Sequence, residues 1–248
     1  MKKILLCKAA VASVTIITMQ IIPQTSASAL DRVKPIITVR ISDGKNEGIA
    51  SLYGNGENYI NNLKVKVQFK NYAPYEIILD DGYSPYMETF GFGADSKFLF
   101  CSSQTGGSGG YGNYGVYRLN TASYQLLYDD KTDSERAEFT AVFKPNGFMH
   151  LTDNSTKHTL TVDVGYMDSE FYNLIFSPDG SVKEQQPYVN PISFVSPALN
   201  PAEGIFRLIT YRSVTAVAEV NRLGYIVQTL NFEDNKFSPS FTEFSINL

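Results

Sequence analysis

The apolar stretches of this chain are short, and turn signals punctuate them at close intervals. Asp43-Gly44, Asp81-Gly82, Pro145-Asn146-Gly147, Asp153-Asn154-Ser155 and Ser177-Pro178-Asp179-Gly180 supply the positive φ and fixed bends of tight reversals. Between them lie runs such as Ile36 to Ile41, Leu63 to Phe69 and His158 to Val164, each of strand length. The run Leu63-Lys64-Val65-Lys66-Val67-Gln68-Phe69 alternates apolar and polar, as a strand with one wet face should. Sixteen Tyr and sixteen Phe with no Trp suit pleated, half-buried surfaces. Roughly fifteen strand candidates follow, spaced as in an all-β antiparallel meander. Pro145-Asn146-Gly147, set between Phe139–Phe143 and Phe148–Leu151, is the clearest hairpin. Val214 to Leu223 is the one helical candidate, ambiguous because β-branched residues crowd it and Gly224 follows.

Residues 97–128 and 205–246 repeat one order of elements: strand, loop, aromatic strand, short turn, strand. Repeated antiparallel units point to a propeller-like arrangement of four to five irregular blades, with a distorted sandwich as the alternative. The only linker candidate is Pro187 to Pro201, which a connection within one domain explains equally well.

The first 29 residues read as a signal peptide. Lys2 and Lys3 precede an apolar region running from Ala9 to Ile22, Pro23 breaks any helix, and Ala27-Ser28-Ala29 fits the cleavage pattern. Lys8 and Gln20 interrupt the stretch, which falls short of the ~20 apolar residues of a membrane span. Cleavage after Ala29 would leave 219 of the 248 residues as one all-β domain, 30–248, secreted or held at the cell surface. It would also remove three lysines and no acid, taking the formal net charge from −4 to −7. No later stretch is apolar enough to cross a bilayer, and no Lys/Arg cluster offers the basic surface that nucleic acid requires. Cys101 would then be the one cysteine left. It sits in Phe98-Leu99-Phe100-Cys101, where a buried small hydrophobe is the expectation.

Gly106-Gly107-Ser108-Gly109-Gly110 spells G-x-S-x-G, the turn that presents a nucleophilic serine between a strand and a helix. A secreted serine hydrolase using Ser108 is therefore an alternative reading. Against it, Tyr111-Gly112-Asn113-Tyr114-Gly115-Val116-Tyr117 follows, and each interior glycine costs a helix roughly 1 kcal/mol. His150 and His158 are the only candidate bases, and both fall in predicted strands. The glycines are better explained as positive-φ residues of a wide loop joining two strands. Such a loop could contact an anion or ligand through bare amides, so Gly106, Gly107, Ser108, Gly109, Gly110, Tyr111 and Tyr114 are the candidate ligand-binding residues. Tyr111, Tyr114 and Tyr117 could stack on sugars, although a shared core face is the simpler expectation. No D-x-[DN]-x-[DN]-G run exists, and the two histidines are wrongly spaced for a metal, so neither metal nor cofactor is expected.

Lys97 to Gly110 with the aromatic strand to Tyr117, Tyr188-Val189-Asn190-Pro191-Ile192, and Leu223 to Thr229 resemble secreted FG-GAP/VCBS-repeat-like proteins of Gram-positive spore-forming bacteria. The resemblance implies an extracellular, propeller-related β-protein without an established catalytic activity. It also implies Asp-rich calcium loops before Phe98 and Phe206, where this chain reads Phe90 to Ser96 and Ala198 to Gly204. One carboxylate in each is too few for a calcium shell of six to eight oxygens, so no metal ligands are carried over. The reading is a non-catalytic secreted protein that binds a cell-envelope partner, with a structural cell-surface component as a further alternative.

Overall fold

A computed structural model describes residues 34–90, 97–107, 110–136, 139–183, 186–200, 205–217 and 221–246. The chain is all-β and antiparallel, with fifteen named strands and two short helices among those residues. Consecutive strands pair with one another, so the chain divides into four meanders. Meander I contains β1 (Ile37–Ser42), β2 (Glu47–Asn55), β3 (Tyr59–Phe69) and β4 (Tyr75–Ile78). Meander II contains β5 (Gly82–Phe90), β6 (Phe98–Gln104), β7 (Gly112–Leu119) and β8 (Tyr124–Asp129), and joins I through a short β3–β5 pairing at Tyr59↔Tyr83 and Ile60↔Gly82. Meander III is three-stranded: β9 (Phe139–Lys144), β10 (Phe148–Asp153) and β11 (Thr159–Asp163). Meander IV contains β12 (Tyr188–Asn200), β13 (Ile205–Thr215), β14 (Arg222–Glu233) and β15 (Lys236–Ser245).

The side-chain period of two explains the layers. In β3, Leu63, Val65, Val67 and Phe69 are buried while Lys64, Lys66 and Gln68 lie on the wetter face. In β6 no such alternation appears, because meander II is covered on both faces. Leu99 and Cys101 enter a core shared with meander I, whereas Phe100 on the other face enters one shared with meander IV. A third core joins meanders III and IV through Phe143, Met149 and Leu151 on one side and Val214, Ala216 and Ile226 on the other. The hydrophobic clusters thus link meander I to II, II to IV and IV to III. A ring of blades would set each meander against its successor in the chain.

The Asn146 hairpin forms as expected, with Asn146 and Gly147 at φ 64° and 80° and Lys144 opposite Phe148. Two other expectations are corrected. The helical candidate at 214–223 has no helix among its described residues: Val214 and Thr215 close β13, Ala216, Val217 and Asn221 lie in bends, and Arg222 opens β14. The proposed linker is β12, an edge strand that tolerates proline. Pro191 falls inside its register irregularity, between Val189 and Ile192.

The helices lie elsewhere. In α1 (Asp130–Arg136), Asp129 accepts from the Lys131 amide at 3.0 Å and also bonds the Thr132 hydroxyl. In α2 (Ser169–Ile175), Asp168 is the N-cap and accepts from the Glu170 amide at 2.8 Å. The Asp-Ser-Glu start of α2 followed by buried Ile175 was the available sequence signal. It is faint because the helix is only seven residues long.

Candidate functional site

The glycine-rich segment leaves β6 at Gln104 and enters β7 at Gly112, so a strand and not a helix follows it. Ser108 and Gly109 lie outside the described residues. Around them the loop closes on itself: the Thr105 amide and hydroxyl both bond the Tyr111 carbonyl at 2.9 Å, and the Gly110 amide donates to the Gly107 carbonyl at 3.2 Å. These two amides are therefore committed within the loop. Gly106 (φ 78°) and Gly110 (φ 66°) hold the conformation that side chains resist. Gly106 also has a packing reason, since a Cβ there would stand 2.3 Å from Cε2 of Tyr83. Gly106→Ala is expected to displace the Tyr83 ring from its edge-on contact with Tyr59 and lower stability by ~1 kcal/mol or more. Thermal melting of the variant checks this.

The tyrosines do not form one exposed stack. Tyr114 and Tyr117 sit on opposite faces of β7, because they are three positions apart and the strand period is two. Tyr114 is buried in the II–IV core and its hydroxyl donates to the Ser193 carbonyl at 3.0 Å. Tyr117 packs against the I–II core. Neighbouring glycines make room for both rings: a Cβ on Gly112 would meet the Tyr114 hydroxyl at 2.6 Å, and one on Gly115 the Tyr117 hydroxyl at 2.8 Å.

What the loop borders is a groove of about 450 Å³ at the edge of meander IV. Gln104 and Gly110 form its loop side; Ser193, Phe194, Tyr211, Ser213, Arg222 and Tyr225 line it from β12, β13 and β14. Phe194 and Tyr211 are register partners across β12 and β13, with ring centroids 5.7 Å apart and tilted by 52°. Tyr211 meets Tyr225 edge-on at 6.3 Å. Phe194 is half exposed and rests edge-on against buried Tyr114, 6.3 Å away. Arg222 lies over the Tyr225 ring at 5.0 Å and donates from Nη1 to the Tyr225 hydroxyl at 2.6 Å. The sequence reading found Gly110 and Tyr114 but missed Phe194, Tyr211, Arg222 and Tyr225. β13 mixes apolar and polar residues on both faces, so periodicity could not show which of its aromatic residues face water.

A second cavity, of about 290 Å³, opens on the opposite face of meander II. Asp80, Asp129, Asp130 and Lys131 line it together with Ser103, Asn113 and Tyr117. Lys131 Nζ bridges both Asp80 oxygens at 2.9 Å, although both side chains are well exposed and such a pair stabilises little. Burial pushes the Asp130 carboxyl up to about 6, against the lowering effect of the Tyr114 amide, which donates to its Oδ1 at 2.7 Å; the Asp129 charge adds to the rise. Because the folded pKa is raised, the fold prefers the neutral acid. That contribution is complete below about pH 4 and is lost as pH rises through 6. Asp130→Asn keeps an acceptor for the amide and is expected to flatten the stability profile across pH 4–6. At pH 7 it should be more stable by about 1 kcal/mol, allowing for solvent screening; urea melts at several pH values test this.

Among the described residues no catalytic set is assembled, and Ser108 lies outside them. His150 lies in β10, opposite Val142 and Thr161, and His158 precedes β11, so both belong to meander III whereas the glycine loop belongs to meander II. Burial pushes the Cys101 thiol well above its usual range, and an un-ionised thiol is a poor nucleophile. Among the described residues no group of three or more His, Cys, Asp or Glu is arranged to hold a metal ion. Residues 91–96 and 201–204, which make up most of the two loops matched to calcium sites by resemblance, lie outside the described residues.

The two meanders that supply most of the groove and its backing differ in their relation to known proteins. Residues 137–245, meanders III and IV, match the YybI C-terminal domain family. A curated relative, the uncharacterized protein YybI of Bacillus subtilis (strain 168), is 21% identical over 134 residues, or 54% of this chain and 51% of the relative. The chain thus spans about half the length of the curated relative it matches. No solved structure matches. These comparisons show a YybI-like C-terminal half and do not show an FG-GAP/VCBS repeat family. The matched span begins beside β9 and ends with β15, so its edges coincide with the boundary between the I–II and III–IV halves. Among the described residues no helix is long and apolar enough to cross a membrane.

Proposed function

We propose that this chain is an exported, non-catalytic binding module that attaches to a cell-envelope partner through the groove between the glycine loop and meander IV. The carrying observation is the row Phe194, Tyr211 and Tyr225 lining a groove beside a loop whose glycines permit close backbone approach. Partly exposed rings on a rigid sheet offer contact area with little conformational entropy to lose. Export rests on the pattern of residues 1–29, with 30–248 as the remaining β-domain. The order I–II–IV–III of the cores supports the distorted sandwich over the propeller. The groove opens along the II–IV seam. The test is retention of the secreted protein on isolated envelope fractions. Phe194→Ala with Tyr225→Ala is expected to cut retention about tenfold, the scale of removing two interface aromatics. Full retention by the double variant would defeat the proposal.

A further inference from the structure

We infer that the groove takes a glycan bearing a carboxylate, with Arg222 receiving the acid group; this rests on the binding role proposed above. Three features argue for that occupant. Among the described residues the groove's single formal charge is the Arg222 guanidinium, and no Asp or Glu lines it. Among the described residues no carboxylate pairs with Arg222. Its orientation is nonetheless set, by the bond to the Tyr225 hydroxyl and by the ring beneath it. An oriented guanidinium without an acid partner, on a chain of net negative charge, is locally complementary to an anion.

The rest of the groove selects against a bare ion. Phe194, Tyr211 and Tyr225 are tilted to one another, so they form the walls of a trough and not a flat platform. Sugar rings present C–H faces to such walls and hydroxyl edges to the polar groups between them. Gln104 supplies such a group at the margin. Gln104 lies beside the Tyr114 hydroxyl, so the trough's polar margin adjoins the ring that supports Phe194.

The experiment is calorimetric titration of the secreted protein with oligogalacturonate, its methyl ester, and poly-glutamate of matching charge. The acid and the ester share one ring skeleton and differ in charge, and the peptide keeps the charge without the sugar. The acid oligomer is expected to bind about tenfold more tightly than the ester, the scale of one charge-assisted hydrogen bond. Arg222→Gln should bring the two within about twofold by weakening the acid far more than the ester, whereas Phe194→Ala should weaken both. Equal affinity for acid and ester, discrimination that survives Arg222→Gln, or poly-glutamate binding as tightly as the oligosaccharide would each overturn the inference. Failure of both sugars to bind would overturn it too. Envelope retention that still depends on Phe194 and Tyr225 would in that case leave the broader binding role standing. Phe194 and Arg222 are exposed, so unchanged melting temperatures serve as the folding control.

Discussion

Phe206→Ala is expected to lower the unfolding free energy by about 3–5 kcal/mol, enough to unfold a domain of ordinary stability under mild denaturant. Phe206 is 3% exposed and stands at the centre of the aromatic cluster that joins meanders II and IV. Its ring centroid lies 4.2 Å from Phe90, 5.1 Å from Phe237, 5.8 Å from Phe98 and 6.2 Å from Phe232. Those rings come from both meanders, so truncation opens a cavity that neither sheet can close alone. Phe206→Leu fills part of the space and should cost much less. Ile78→Ala, at a side chain 71% exposed, should change stability by no more than about 0.5 kcal/mol. Urea unfolding curves for the three variants decide the matter; a loss under ~1 kcal/mol for Phe206→Ala would mean that the II–IV seam contributes little.

The same seam shows what the sequence could and could not convey. Strand existence was legible almost throughout, because runs such as Leu63 to Phe69 alternate in step with their burial. Phe98-Leu99-Phe100-Cys101 carried a stronger message than was read from it. A run apolar at every position belongs to a strand covered on both faces, and β6 is the centre of the stack. Which meander covers which face depends on contacts far apart in the chain, such as Tyr114 with Ser193, and no local period encodes those. The site was half legible for the same reason. Glycines mark a loop wherever it folds, and they led to Gly110. Phe194, Tyr211 and Tyr225 become neighbours only when β12, β13 and β14 pair, with a bulge near Ile192 setting the register.

The second large effect is expected at Arg212. Meander IV uses one face to cover both meander II and meander III, and between those two apolar patches lies a buried polar band of Thr210, Arg212 and Gln228. Arg212 is 3% exposed; its Nη2 lies 3.6 Å from an Asp133 oxygen and donates to the Asp133 carbonyl at 3.3 Å, and Phe139 flanks it at 5.9 Å. Burial depresses the Arg212 pKa, opposed by the Asp133 charge, yet guanidinium remains charged at any ordinary pH. Its Nε and the Oε1 of Gln228 have no hydrogen-bond partner, so this band already bears an uncompensated desolvation cost. Arg212→Ala would remove a buried cation from beside Asp133 and leave a void between two cores, and a loss of about 3–5 kcal/mol follows. Arg212→Met with Asp133→Asn fills the volume and removes both charges, and should recover most of that loss. The double variant separates the two causes. If it is as unstable as Arg212→Ala, the guanidinium's hydrogen bonds to α1 hold the helix in place; if it approaches the parent, the ion pair contributes less than its burial costs.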